Sequence, residues 1–239
     1  MLLDRKRGFY EKYIKRLLDI ICSFLAIVFF SWLYLIIATI VRIKMGSPVL
    51  FKQPRPGLVK NGKETIFNMF KFRTMTDERD ENGELLPDEQ RLSQFGRWLR
   101  STSLDELPEA FNILRGDMSV IGPRPQLVRD MVFMSDEVRM RHTAKPGLSG
   151  LAQVNGRNAV TWEQKFELDL KYLERVSFMN DFKILIKTAL KVFCVGESSD
   201  ELDVTYDYGD WLLKTGKVSK EDYCALQLLA NNILENEKW

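Results

Sequence analysis

Between residues 20 and 41 the chain reads IICSFLAIVFFSWLYLIIATIV, twenty-two positions without a charge. At about 1.5 Å of rise per residue, such a run is long enough to cross the hydrocarbon of a bilayer as a helix. It is too long for the apolar stretch of a signal peptide, and no small-residue cleavage site follows it cleanly. The core helix of a soluble protein seldom runs so far without a charge. Alternation over residues 65–75, TIFNMFKFRTM, predicts a strand with Lys71 and Arg73 on one face and Phe70 and Phe72 on the other. Helical spacing predicts helices at 91–100, 106–114, 126–134, 161–176 and 182–195. A closing helical pair is predicted at 208–215 and 219–232, with Gly216 as a stop and Ser219 as a cap. Residues 46–62, rich in proline and glycine, read as loop, and 77–91 as a polar, charged loop.

Charge is unevenly spread. Residues 1–60 carry 11 Lys/Arg against 3 Asp/Glu, while residues 195–239 carry 4 against 10, within a total of only +2. A basic head beside an apolar run points to an anionic membrane surface before nucleic acid. Arg5, Lys6, Arg7, Lys12, Lys15 and Arg16 precede the run, and Arg42, Lys44, Lys52 and Arg55 follow it, so both ends favour the cytoplasmic side. A straight span satisfies one end; a helix that enters, bends and returns satisfies both. Ser31, near the midpoint, could take up a carbonyl freed by the bend, although no proline stands there. Asp19 follows Lys15 by four residues, so a local ion pair could neutralise it at the boundary. In 182–195, Lys183, Lys187 and Lys191 form a basic stripe beside a broad apolar face. That pattern fits a helix in the headgroup layer or a core helix with snorkelling lysines.

With 45% apolar and 28% charged residues, disorder is excluded as the main state. Cys22, Cys194 and Cys224 are too widely spaced for a disulfide framework or a zinc knuckle. The single histidine, His142, excludes a His-rich metal site and reads as structural. The segment from Gly57 to Lys63 opens like a nucleotide P-loop but fails at Glu64, where Ser or Thr is needed, and a strand follows instead of a helix.

The chemistry concentrates in STSLDELPEAF, residues 101–111. Pro108 is tolerated only in the first turn of a helix, which places Asp105 and Glu106 at a positive helix end. Plain capping would explain one acid there. Two adjacent carboxylates near Arg97 and Arg100 also fit a site, in which an ionised carboxylate binds Mg²⁺ or attacks phosphorus. Downstream, Pro123 and Pro125 bracket Arg124 and hold its guanidinium for bidentate phosphate capture, unless this is an ordinary turn with a solvated arginine. The loop at 145–158, with Gln153, Asn155, Arg157 and Asn158, could contact a sugar or a base or simply turn the chain.

KRLLDI at 15–20, QPRPG at 53–57, FNMFKFRTM at 67–75, RSTSLDELPEAFNILRGDMSVIGPRP at 100–125 and KPGLSGLAQVNGRN at 145–158 together resemble the bacterial sugar transferases, the small monotopic phosphoglycosyltransferases. The resemblance covers roughly residues 10–195. It implies an α/β fold, mostly helical with a small sheet, in a monotopic membrane protein with an N-terminal re-entrant membrane helix and interfacial amphipathic helices. The implied divisions are a basic head and re-entrant helix at 1–45, a cytoplasmic catalytic domain at 46–195 and an acidic helical extension at 196–239. The extension lies outside the resemblance and is either a surface brace or an interaction module.

The family reaction that this implies is transfer of a sugar 1-phosphate from a UDP-sugar to polyprenyl (undecaprenyl) phosphate, with release of UMP, at the cytoplasmic face of a bacterial inner membrane. Asp105 matches the nucleophile that takes up the phosphosugar, and Glu106 the second acid, which helps to place Mg²⁺ or manage the proton. Lys71, Arg100 and Arg124 match basic positions around the substrate, and Gln153, Asn155 and Arg157 lie in the matching loop. Small members usually carry Ser-Pro at the membrane bend, where this chain has Ser31-Trp32. Two other readings of the residues remain: a membrane-anchored scaffold whose acidic tail recruits a partner, with Asp105 as a mere cap, and a carboxylate-dependent phosphohydrolase. Separately from these, the tail could mediate a homodimer.

Overall fold

The computed structural model describes residues 5–156, 160–194 and 206–236. After a π-turn, Tyr10–Ile14, come helices α1 (Lys15–Phe29) and α2 (Ser31–Met45), then strands β1 (Leu50–Lys60) and β2 (Lys63–Phe72). Short helices α3 (Asp88–Arg91), α4 (Gln94–Ser101) and α5 (Glu109–Arg115) lead to β3 (Ser119–Ile121), α6 (Val128–Met131) and α7 (Asp136–Arg139). Strand β4 (Gly147–Ser149) precedes α8 (Leu151–Gly156), α9 (Trp162–Glu174), α10 (Phe178–Cys194), α11 (Tyr208–Lys214) and α12 (Lys220–Asn236). The architecture is mostly helical with two small sheets, β1–β2 and the parallel pair β3–β4.

Two strands fall where a loop was predicted. Pro54, Pro56 and Gly57 sit inside β1, which belongs to a two-stranded sheet, where a missing amide donor is tolerated on the open side. The P-loop-like segment turns between β1 and β2 with positive φ at Asn61 and Gly62, the combination that a tight Asn-Gly hairpin requires. Residues 145–158, also read as loop, hold β4 and α8. The predicted starts at 161 and 219 hold: Thr161 and Gln164 form a reciprocal capping box on α9, and Ser219 accepts the Asp222 amide at the start of α12. The helix predicted from 182 begins earlier, at Phe178, and the one predicted at 126–134 is only the turn Val128–Met131.

By internal packing the chain forms two units, one comprising Ile20–Gln53 and Asn68–Arg115, the other Met1–Asp19, Pro54–Phe67 and Gly116–Trp239. In the first, Ile37, Val41 and Met45 of α2 meet Phe72 and Leu99, with Leu104 and Leu107 packed against them. The helix pair breaks at Phe30, whose φ of −94° and ψ of 10° leave the helical region. Its amide still donates to Ala26, and its carbonyl accepts from Leu33 and Tyr34, so the bend forms without proline. Among the described residues no single helix is long and apolar enough to cross a membrane; Tyr10–Phe29 and Ser31–Met45 pass that test together, bent by 63°. Phe24, Leu25, Val28, Phe29, Trp32 and Leu35 on this pair are exposed.

The second unit is built on β3 and β4, in register Ser119 to Gly147 and Ile121 to Ser149. The strands approach so closely that a Cβ on Gly122 would lie 2.3 Å from the Lys145 carbonyl oxygen, and one on Gly147 2.1 Å from the Gly122 amide nitrogen. These glycines are required by the packing. Ile121, Val154, Tyr172, Leu173 and Ile184 make the core. Helix α10 buries only Ile184 and Asp181 among its described side chains and exposes Phe182, Leu185, Ile186 and Leu190, which removes the reading of a core helix. Asp181 is held by Lys15 at 2.6 Å and by the hydroxyls of Tyr10 and Tyr172, each at 2.8 Å.

His142 is buried in this unit, with Nδ1 3.3 Å from Glu64 Oε1, as a structural histidine should be. Burial pushes the imidazole down to about 4, against the pull of Glu64. Burial works to raise the Glu64 carboxyl, but hydrogen bonds from His142 and Arg139 outweigh it and hold the group at about 2. Between pH 6.5 and 4 the unfolded chain therefore binds the extra proton at His142, and stability falls as the pH falls; Glu64 extends the loss below pH 4.5. Asp130, pushed up to about 6 by burial, acts with the opposite sign between about pH 6 and 4. The difference between native and His142→Gln chains isolates the histidine: in denaturant unfolding that difference should change by up to about 3 kcal/mol over the window. A pH-independent difference would contradict the assignment.

Candidate active site

The first unit sets an acidic turn against the end of β2. Ser93 caps α4 by accepting the Gly96 amide at 2.9 Å. Gly96 lies flat on the strand extension, where a Cβ would come within 1.9 Å of the Thr74 carbonyl oxygen. One helical turn later Arg100 reaches the same residue, Nε donating to Thr74 Oγ1 at 3.0 Å. After α4 the chain reverses through Ser103, in the left-handed region at φ 55° and ψ 19°, a conformation that costs a non-glycine residue roughly 1–2 kcal/mol. A single 3₁₀ turn, Leu104–Glu106, follows, and α5 starts only at Glu109. Leu104 and Leu107 face the apolar cluster of α2, so Asp105 and Glu106 are carried on a turn fastened from below. Tyr34 adds to this by donating its hydroxyl to the Leu107 carbonyl at 2.6 Å.

Lys71 of β2 lies between two carboxylates, with Nζ 2.8 Å from Glu106 Oε1 and 3.4 Å from Glu109 Oε1. Asp105 is 8% exposed and Glu109 only 3%. Asn112, fully buried, locks α5 to the strand: its side chain accepts the Phe70 amide at 3.0 Å and donates to the Asn68 carbonyl at 2.7 Å. This clamp flanks Lys71 and fixes which carboxylates it meets. Burial pushes the Asp105 carboxyl above its usual range; Lys71 and Arg100 pull it back, and Glu106 pushes it further. The expected helix start is thus replaced by a 3₁₀ turn that buries Asp105, whose ionised form is supported by Lys71, Arg100 and a backbone amide.

The second unit holds the arginine loop. Pro123 and Pro125 are buried and Arg124 is exposed between them. Each carbonyl of the three has a donor: the Gly147 amide on Pro123 at 2.9 Å, Arg141 Nη2 on Arg124 at 2.6 Å and Arg55 Nη1 on Pro125 at 3.2 Å. The backbone that presents Arg124 is therefore tied at three successive peptides. Gln153 and Asn155 serve the local backbone, donating to the Leu148 carbonyl at 2.9 Å and the Leu151 carbonyl at 2.8 Å. Arg157 lies outside the described residues.

Lys71, Arg100, Asp105 and Glu106 are therefore brought together in one unit, and Arg124, Gln153 and Asn155 belong to the other. Glu109 and Asn112 escaped sequence reasoning. Glu109 reads as an ordinary acid at a helix start, and only the strand that returns Lys71 to it reveals a second ion pair. Among the described residues no group of three or more His, Cys, Asp or Glu side chains is arranged to hold a metal ion. A site made by Asp105 and Glu106 would rely on substrate oxygens to complete the coordination.

A family model described as bacterial sugar transferase matches residues 10–195. The chain is 50% identical over 179 residues to the protein named uncharacterized sugar transferase EpsL of Bacillus subtilis (strain 168), covering 75% of this chain and 87% of that one. It is 40% identical over 202 residues to the UDP-glucose:undecaprenyl-phosphate glucose-1-phosphate transferase of Klebsiella pneumoniae, covering 80% of this chain and 43% of that protein. To the undecaprenyl-phosphate galactose phosphotransferase of Salmonella typhimurium (strain LT2) it is 35% identical over 196 residues, covering 75% and 40%. The chain thus matches less than half the length of the last two. The matched stretch contains both the Asp105 turn and the Arg124 loop and ends before α11, and on it the chain belongs to the bacterial sugar transferase family.

Proposed function

We propose that this protein transfers a sugar 1-phosphate from a UDP-sugar to a polyprenyl phosphate such as undecaprenyl phosphate, releasing UMP, as the first membrane step of glycoconjugate assembly. The observation that carries this reading is the nearly buried Asp105 on a fastened turn, among Lys71, Arg100 and two further acids, within the stretch that matches the family. The named activities of the Klebsiella and Salmonella relatives supply the acceptor and the class of donor.

In this reading a carboxylate oxygen of Asp105 attacks the β-phosphorus of the donor. The bond from that phosphorus to the bridging oxygen breaks, UMP leaves with the electron pair, and an aspartyl phosphosugar remains. A phosphate oxygen of the polyprenyl phosphate then attacks the same phosphorus and restores the Asp105 carboxylate. Lys71 and Arg100 lower the cost of an ionised Asp105 and offset negative charge on the phosphoryl oxygens. Arg124, held by its loop, takes the nucleotide phosphates. Asp105 and Glu106 offer the hard carboxylate oxygens that Mg²⁺ takes together with substrate phosphates, and burial of Asp105 beside the negative charge of Glu106 favours an added cation. Bound there, Mg²⁺ would polarise the transferred phosphoryl group.

The exposed apolar faces of α1, α2 and α10 suit burial in lipid, with the bent pair entering and leaving the cytoplasmic leaflet of the bacterial inner membrane. The test is a UMP-release assay over a set of UDP-sugars, with and without undecaprenyl phosphate and Mg²⁺. Release that requires both the lipid phosphate and the metal is expected. Release independent of lipid phosphate would indicate a phosphohydrolase, and no release with any donor would favour a membrane-anchored scaffold.

A further inference from the structure

The helical pair α11–α12 lies beyond the stretch that matches the family, yet it packs on the segment that leaves the Arg124 loop. We propose that this C-terminal pair is a positioning clamp for that loop, acting through Arg129 and Asp130 of α6. The proposal rests on the reading that Arg124 takes the donor phosphates.

Helix α6 begins three residues after Pro125 and is a single turn, Val128–Met131. One turn of helix has no stability of its own in water, so its geometry must come from what it touches. On its apolar side Val128 and Met131 pack with Ile66 against Ile233 and Leu234 of α12. On its polar side the Arg129 guanidinium meets Asp207 and Asp210, the latter at 2.8 Å. Asp130 is 1% exposed and accepts the Gly209 amide at 3.1 Å. Gly209 is the residue this contact needs, since a Cβ there would come within 2.6 Å of the Phe133 ring. Phe133 also lies against Tyr223 of α12, and the Tyr223 hydroxyl donates to Asp210, which ties both tail helices to one arginine.

The loop itself is held from the other side by β4, Arg141 and Arg55, as described above. Its exit is held by the tail. Without α11 and α12, Val128 and Met131 would lose their apolar cover and Asp130 its donor, and the peptides after Pro125 would be free to drift. An arginine placed by two buried prolines would then be anchored at one end only. The acidic character of the tail has a use in this arrangement, because two of its carboxylates meet a single guanidinium.

The experiment compares the full native chain with Asp207→Asn/Asp210→Asn, with the conservative Asp207→Glu/Asp210→Glu and with the milder Tyr223→Phe. Two readouts are taken: amide hydrogen exchange over residues 122–134, and steady-state kinetics with separate KM values for UDP-sugar and undecaprenyl phosphate. The Asn pair is expected to speed exchange in that segment and raise the donor KM threefold or more. kcat and the acceptor KM should stay within about twofold, the Glu pair near native and Tyr223→Phe in between. Unchanged exchange overturns the clamp whatever the kinetics. Faster exchange with an unchanged donor KM overturns its action through Arg124. A uniform fall in all kinetic parameters together with loss of folded protein would mark a general brace and overturn the positioning role. If native chain turns over no UDP-sugar, the functional reading fails by itself, and exchange still decides whether the tail holds the loop.

Discussion

Asp105→Asn is expected to abolish turnover while leaving the protein folded and able to bind its donor. Removing the nucleophile of a covalent mechanism commonly lowers kcat by about four to six orders of magnitude, leaving only what binding and electrostatics provide. The amide has nearly the shape of the carboxylate but cannot displace UMP. Its effect on stability should be small or favourable, because burial already opposes the charge on Asp105 and Glu106 adds to the opposition. The melting temperature should stay within a few degrees of native, or rise. Mass spectrometry after incubation with donor alone should find a sugar-phosphate adduct on Asp105 in the native chain and none in the variant. A variant that retains turnover would move the nucleophile elsewhere, with Glu106 the next candidate. A variant that fails to fold would show that the carboxylate holds the turn together, which its position on a turn packed through Leu104 and Leu107 argues against.

How much of this was legible beforehand follows from the range over which each signal acts. Asp105 and Glu106 could be picked out because Pro108 restricts the local backbone, a property readable within a few residues. That Asp105 itself is buried, which opposes its ionisation, could not be read, because the residues packed around its turn come from α2 and β2, far away in sequence. Lys71 was placed correctly on a strand, but its two partners depend on the clamp that Asn112 makes with Asn68 and Phe70. The strands β3 and β4 escaped notice because three residues are too few to show a period, and parallel pairing leaves no turn signal between them. Strand β1 was lost to its prolines. The tail helices were read from their spacing, Gly216 and Ser219, yet nothing in that pattern names α6 as their partner. Long-range contacts between polar groups carry no sequence period, and they decide both the carboxylate cluster and the hold on Arg124.

The largest stability loss is expected where such a contact is buried most completely. Arg141 is 1% exposed, donates through Nε to Asp169 Oδ2 at 3.0 Å and lies over the Phe166 ring at 5.6 Å. Asp169→Leu should cost about 3–5 kcal/mol in denaturant unfolding, because it strands a guanidinium in a low-dielectric interior. Adding Arg141→Met should restore much of that loss, since exchanging a buried ion pair for apolar residues of similar size is often neutral. Stability and donor affinity should then part company. The double variant lacks the Nη2 group that binds the Arg124 carbonyl, so its donor KM should remain raised although its fold has recovered. Recovery of both would mean that Arg141 matters only as half of an ion pair. Recovery of stability alone would tie the placement of Arg124 to a bond made by a residue that has no need to touch the substrate.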